Sequence, residues 1–420
     1  MRAITLAPDV ACDTLLSQSL PLLKDHAAAV RSALANPIGA PTLGKILHSG
    51  ERVAVLVNDI TRQVNSEVFL PILIDEINAC GVPDRDIFIV FALGLHRQQS
   101  PEEQRRIVGK EVARRIALHD HDCHNRENLV NLGRTSRGNH IWVNRRVDEA
   151  DRVILTGEII YHQIAGYSGG RKSLIPGVAG AESTTFNHQL LLDPNCRPGV
   201  LGGNPAHEDL LEACRMFEPD FLLNVVPSPA GGWVQVVAGH YDLAHRAGCK
   251  TVDQMCRIQL DQPYDLVLAS AGGFPLDINL RQAHKGMENA ARALRPGGTL
   301  IYFAECREGS GSPAIEEWVE KFSSAEQMER ELRSGFVVGA HKAFWLARLG
   351  ERVRVLLVSK LPSALVQKCH LQPLADPDDA ASNELRRLGV GARVAYIPHA
   401  GITLPVTKEE TRSTASGAQD

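Results

Sequence analysis

Three short apolar runs, each ending in glycine or polar residues, constrain this chain more than any other feature. They are Arg52–Val57 (RVAVLV), Ile87–Leu93 (IFIVFAL) and the run opening at Asp151 (DRVILTG). Helix-patterned segments separate them: Ser66–Cys80, stopped by Gly81-Val82-Pro83, and Pro101–Leu118. Continuous apolar runs of strand length, alternating with helices, are what a parallel sheet covered on both faces requires. The expected class is therefore α/β. In an open sheet of this kind ligands gather beyond the carboxyl ends of the strands. That rule selects Asp59, Thr61 and Arg62 after the first run, His96 after the second and His162 after the third. Asp59 and Thr61 could equally cap the following helix.

With 420 residues the chain can build two domains, each with its own core. Asp265–Ala271 (DLVLASA) opens a second α/β unit, which puts the boundary near Gln259–Pro263. The expected division is 1–262 for an N-terminal cofactor-binding domain and 263–410 for a C-terminal domain, with 411–420 a disordered tail. Each domain should carry a largely parallel sheet flanked by helices, with the active site in the cleft between them. In the second domain Asp277 is expected to cap a helix Ile278–Leu294, and Arg295–Gly298 to form a turn before a strand. A single helix Pro313–Glu331 should follow, capped by Ser312. Trp345 suits either a pocket wall or a core position.

Charge and composition remove several classes. A net charge of −4 gives no basis for nucleic-acid binding. No apolar run reaches membrane-spanning length, and the first thirty residues lack a basic start followed by an apolar stretch, so a cytoplasmic location is expected. The 9 cysteines form no CxxC pair and read as reduced, buried thiols. His119, His121 and His124 lack a second spaced pair of ligands and read as a polar segment. His240 and His245 read as surface or packing residues.

The third run leads into Gly166-Tyr167-Ser168-Gly169-Gly170-Arg171-Lys172, bracketed by His162 and His188. Glycines at positive φ let backbone N–H groups approach an anion, and two cations close the loop. The spacing does not match the GxxxxGK[ST] phosphate loop. A phosphoryl-transfer reading, with Asp59 as the Mg²⁺ carboxylate, fails at the same point.

His162, the segment Gly166–Lys172, Ile175-Pro176-Gly177 and His188 closely resemble the nickel-dependent lactate racemase family. So do Asp59-Ile60-Thr61-Arg62 (a DxTR motif) and Asp277–Lys285 (DINLxQxxK). Gln63 departs from the family, in which proline usually follows the arginine. The resemblance implies a 2-hydroxyacid racemase or epimerase acting by reversible hydride transfer through a 2-oxo acid. It implies a nickel-pincer nucleotide, a pyridinium mononucleotide with thioamide and thiocarboxylate groups, linked to Lys172, with His188 on the nickel. His162 would be one acid/base, and His96 at an equivalent strand end the other, facing it across the substrate. Arg62 and Lys285 would fix the carboxylate, with Gln282 as a further substrate contact. Asp59, Thr61, Tyr167, Ser168, Gly169, Gly170 and Arg171 would lie against the cofactor. Arg281 beside Gln282 departs from the aromatic residue of the lactate enzymes and, with His284, opens the substrate to malate or a sugar acid. Partners implied are the small 2-hydroxy acid and the enzymes that build the cofactor; self-assembly is left open. A non-catalytic carrier of the cofactor would need Lys172 and His188 but neither His96 nor His162.

Overall fold

The computed structural model describes residues 11–62, 64–229, 231–337 and 339–408, so Gln63 and the tail expected at 411–420 lie outside the described residues. Two compact units are present: residues 19–254, and residues 11–18 together with 255–408.

In the unit 19–254 the apolar runs form the centre of a six-stranded sheet. Its order is Trp233–Gly239, Phe221–Pro227, Arg152–Glu158, Val53–Asn58, Ile87–Ala92 and Ala117–Asp120. All neighbours are parallel except Trp233–Gly239 against Phe221–Pro227. Val53–Val57 is fully buried, because helices cover both faces. Alternate residues Val53, Val55 and Val57 meet Phe69, Leu70, Leu73, Ile74 and Ile77 of the Ser66–Ala79 helix. That spacing is the i, i+3, i+4 stripe that made the segment read as a helix. Pro101–Arg115 begins at a capping box formed by Ser100 and Glu103. It stops before the edge strand Ala117–Asp120, shorter than expected.

Chain order and sheet order diverge on either side of Val53–Asn58. From it the chain moves outward through Ile87–Ala92 and Ala117–Asp120, then returns to Arg152–Glu158 on its other flank. The topological switch point therefore lies between Val53–Asn58 and Arg152–Glu158, whose carboxyl ends carry Asp59–Arg62 and the His162 segment.

The other unit holds a parallel sheet in the order Cys12–Thr14, Val394–Ile397, Tyr264–Ser270, Leu294–Phe303, Arg354–Val358 and Gln372–Pro373. Leu266, Leu268, Ile301, Leu356 and Val394 form its core. The observed partition differs from a single cut at 262, since Cys12–Thr14 joins this sheet against Val394–Ile397. Three local expectations are corrected here. The helix is Leu280–Ala291, capped by Asn279, whose side chain accepts from Gln282 N, rather than by Asp277. Arg295–Gly298 lies within the strand Leu294–Phe303. Pro313–Glu331 is two helices, Pro313–Lys321 and Ala325–Ser334, because Ser324 caps the second. No helix among the described residues is long and apolar enough to cross a membrane.

Candidate active site

The turn after Val53–Asn58 closes with Arg62 N–H donating to Asp59 O at 3.1 Å. It buries the Asp59 carboxylate to 4% exposure. Thr61 N–H and Oγ1–H donate to Asp59 Oδ1 at 3.2 and 2.6 Å, and His96 Nδ1–H donates to Oδ2 at 2.5 Å. Burial pushes the Asp59 pKa up. The hydrogen bonds from His96 and Thr61, with the charges of His96 and Arg62, outweigh it and hold the group below the ordinary carboxylate range. Asp59 does not cap the next helix, whose cap position is Asn65. His96 sits in the turn after Ile87–Ala92, with its side chain about half exposed. Two bonds fix that turn: Gly94 N–H to Gly177 O at 2.9 Å, and Ile60 N–H to Gln99 Oε1 at 2.9 Å.

His162 lies on the two-residue arm Tyr161–His162, paired with Gly166–Tyr167. Its Nδ1 accepts from the backbone N–H groups of Ile164 and Ala165 at 3.2 and 3.1 Å. Tyr161 and Tyr167 both donate to Asp253 Oδ1, at 2.8 and 2.7 Å, pinning this hairpin to the helix Leu243–Cys256.

The glycine loop turns inward. Gly169 and Gly170 both have positive φ (69° and 56°), and Gly170 N–H donates to Asn224 Oδ1 at 2.8 Å. A Cβ at 169 would stand 2.7 Å from Asn224 Oδ1, and one at 170 would stand 2.7 Å from the His245 ring. Close packing against the fold therefore demands these glycines. Ser168 Oγ donates to Glu158 O at 2.8 Å and accepts from Ile160 N. Arg171 is 1% exposed; its Nη2 donates to Ala165 O at 2.6 Å and its Nη1 lies 3.0 Å from His245 Nε2. Burial pushes the Arg171 pKa down to about 10. Thr61, Tyr167, Ser168, Gly170 and Arg171, expected at the cofactor, thus spend hydrogen-bonding groups on the protein itself. His245 is fully buried, not a surface residue, because it packs beneath this loop.

Lys172 leaves the loop in a different environment. Burial, then the charges of Arg171 and Arg62, lower its pKa to about 7. His188, in the last turn of the helix Ala181–Gln189, donates from Nδ1 to Thr184 O at 2.7 Å. Burial and the nearby Lys172 charge lower its pKa to about 4. Its Nε2 is consequently the unprotonated nitrogen, the state a metal requires. Glu158, which the sequence reading passed over, is 7% exposed at the end of Arg152–Glu158; burial raises its pKa and Arg62 lowers it. These mutual electrostatic effects place Asp59, Arg62, Glu158, Lys172 and His188 in one neighbourhood. A carboxylate ending a strand just before His162 was the available signal for Glu158.

On the helix Leu280–Ala291, Lys285 Nζ donates to Gln282 Oε1 at 2.8 Å. Arg281 is exposed, whereas His284 is fully buried and stacks on Trp345 with ring centroids 5.7 Å apart. His121 is also buried, with its ring nitrogens against Ala179 O and Asn144 Nδ2 at 2.9 and 3.1 Å.

Known proteins resemble this chain along most of its length. Residues 1–199 match the lactate racemase N-terminal domain and residues 260–406 the lactate racemase C-terminal domain. The chain is 33% identical over 307 residues to the lactate racemase of Thermoanaerobacterium thermosaccharolyticum, covering 73% of this chain and 72% of that protein. It is 30% identical over 379 residues to the lactate racemase of Lactiplantibacillus plantarum, covering 88% of each. A structure of the lactate racemase apoprotein from T. thermosaccharolyticum superposes with a TM-score of 0.88 at 29% identity, over 96% of this chain and 97% of that one.

Proposed function

The chain belongs to the lactate racemase family, and from that premise we propose that it racemises or epimerises a 2-hydroxy acid with a nickel-pincer nucleotide held by Lys172 and His188. The observation that carries the reading is the pairing of a half-buried Lys172, whose pKa is lowered to about 7 so that a large share of its amine is uncharged near neutrality, with a His188 whose Nδ1 is already committed. An uncharged amine is the form that makes an acyl-type bond. An imidazole oriented through Nδ1 offers Nε2 to a metal. Among the described residues no group of three His, Cys, Asp or Glu is arranged to hold a metal, so nickel at His188 would draw its other donors from the cofactor. Soft sulfur with imidazole is a set that suits nickel.

The α-hydrogen of a 2-hydroxy acid is too weakly acidic for a histidine to remove unaided. When bound, the cofactor supplies the missing chemistry by accepting that hydrogen with its electron pair and returning it to either face. The protein moves the hydroxyl proton. His96 Nε2 takes it on one face, with Asp59 stabilising the imidazolium that forms, and His162 does so on the other. Arg62 pairs with the carboxylate, for which a guanidinium fork is suited. Gln282 and Lys285, already joined to each other, complete the substrate contacts. A cytoplasmic location and loading by the enzymes that build the nucleotide belong to the same reading.

The test is intact mass and metal content of protein purified from its native host, with the Lys172 peptide mapped, beside racemisation assays on lactate. A mononucleotide-sized adduct on Lys172, one nickel per chain and inversion of lactate or another 2-hydroxy acid are expected. Absence of both nickel and nucleotide from a host able to make the cofactor overturns the reading.

A further inference from the structure

Gln99 ties together the ends of three neighbouring strands. Ile87–Ala92 lies between Val53–Asn58 and the edge strand Ala117–Asp120. The loop that follows it carries His96 and runs to Ser100, the cap of the next helix. From this loop Gln99 reaches to both sides. Its Oε1 accepts from Ile60 N–H at 2.9 Å, in the turn that carries Asp59. Its Nε2 donates to Asp120 Oδ1 at 3.1 Å, and its backbone N–H donates to Asp120 Oδ2 at 2.5 Å. Among the described residues only two hydrogen bonds connect the loop 93–100 to the turn 59–62. One is His96 to Asp59 and the other is Gln99 to Ile60.

The polarity of this bridge is fixed. Ile60 N–H can only donate, so the Gln99 amide turns its oxygen that way and its NH2 toward Asp120. Asp120 accepts at both oxygens, and Gln104 Nε2, from the helix Pro101–Arg115, adds a third bond to Oδ1 at 2.9 Å. Asp120 is paired with Phe91 in the sheet, so the bridge starts from a strand end. It finishes on the backbone between Asp59 and Thr61, whose own N–H donates to the Asp59 carboxylate. A turn that tips at Ile60 N therefore moves the carboxylate and one of its donors relative to His96.

We propose that Gln99 is a positioning residue for the His96–Asp59 pair and that Asp120 acts through it. The bridge sets where the Asp59 carboxylate stands against His96 Nδ1, and so how well the imidazolium is stabilised once Nε2 has taken a proton. This rests on the racemase reading, in which His96 is an acid/base. Glutamate is no substitute at this position, because its carboxylate would face that of Asp120.

The test exchanges the polarity of the bridge in the cofactor-loaded protein. Q99E keeps an acceptor for Ile60 N–H but sets two carboxylates against each other. D120N sets two NH2 groups against each other. Q99E/D120N restores a donor and an acceptor at this contact and keeps the net charge of the wild type. Each single variant should lower kcat about thirtyfold, within the range that a misplacement of ~1 Å causes, with KM, nickel and the Lys172 adduct retained. The double variant should recover to within about threefold of the wild type, the non-additivity expected of groups in one network. Melting temperatures check the fold, and Q99M, which removes both amide bonds without adding charge, carries the test if Q99E does not fold. A second readout needs no turnover: the low-field proton resonance of His96 Nδ1–H, assigned by its absence from H96N. It should move or broaden in both single variants and return in the double variant. An unchanged kcat in the single variants, or a fall that the double variant does not recover, overturns the positioning role. The resonance pattern without turnover of any 2-hydroxy acid by the loaded wild type upholds it and overturns the racemase reading instead.

Discussion

His96 and His162 follow the two strands that flank Val53–Asn58, at the carboxyl end of one sheet, yet the fold backs them in opposite ways. His96 donates from Nδ1 to a buried carboxylate, so its neutral ring carries a bare Nε2. His162 accepts at Nδ1 from two backbone N–H groups, so its neutral ring carries the proton on Nε2. These tautomers follow from the donors, since an amide N–H can only donate and Asp59 is held ionised. The resting protein therefore presents one base and one acid, although a racemase needs both histidines in both roles. The pair is preset for one direction of proton movement, and each turnover in the other direction starts from the exchanged state. An anchor made of a carboxylate stabilises a charged imidazole; an anchor made of amides stabilises a neutral one.

Removing either ring breaks the comparison outright. H96N and H162N are each expected to lower kcat by about 10⁴-fold, the upper end of what acid–base groups contribute, while nickel and the Lys172 adduct are retained. Loss of the adduct along with activity would assign the histidine to cofactor binding instead. The next effect in size is D59N, which keeps the shape of the His96 anchor and removes its charge. It should cost about 10²-fold in kcat with KM little changed, and because the equilibrium constant fixes the ratio of kcat/KM the fall should be the same from either enantiomer. A fall in kcat accompanied by loss of nickel or of the Lys172 adduct would mean that Asp59 merely holds the loop. D253N acts on His162 at one remove, because Asp253 anchors the two tyrosines of its hairpin. A fall of about tenfold is expected, less than the 10²-fold that a displacement of ~1 Å can cause, with adduct and nickel intact.

Much of this site was legible because the physics that made it is local. Apolar runs of strand length between helical stripes fixed the sheet, and the polar residues after them marked its ligand edge. Asp59, Arg62, His96, Lys172 and His188 could all be picked out on those grounds or by resemblance. Side-chain direction could not. Arg171 and Lys172 are adjacent cations after one glycine pair, yet Arg171 enters the core beneath His245 while Lys172 joins Arg62 and His188. Nothing in a sequence tells which of two neighbouring cations finds a carbonyl inside the fold. The partner of Tyr167, Asp253, is 86 residues away, and no local pattern announces it. Cys12–Thr14 pairs with Val394–Ile397 across nearly the whole chain, and no short-range pattern encodes such a partner. Gln99 gave no signal either, as a glutamine in a polar loop reads as surface until its bonds are seen.

The smallest effect expected from the two anchors is on acid stability, and its sign distinguishes them. Asp59 titrates below the ordinary carboxylate range in the folded protein. The folded state therefore binds fewer protons than the unfolded one in that window. The resulting stabilisation is fully present above the unfolded value, near pH 4, and is lost as pH falls through the lower folded value. D59N removes the titrating group, so its unfolding free energy should decline less steeply than that of the wild type below about pH 4. Y167F loosens the His162 hairpin by deleting one neutral hydroxyl. It should lower stability by about 1 kcal/mol at every pH and leave the slope unchanged. Chemical denaturation at a series of pH values reads both. Parallel profiles for wild type and D59N would mean that His96 is not held by an ionised carboxylate, and the opposed backing of the two histidines would fall with it.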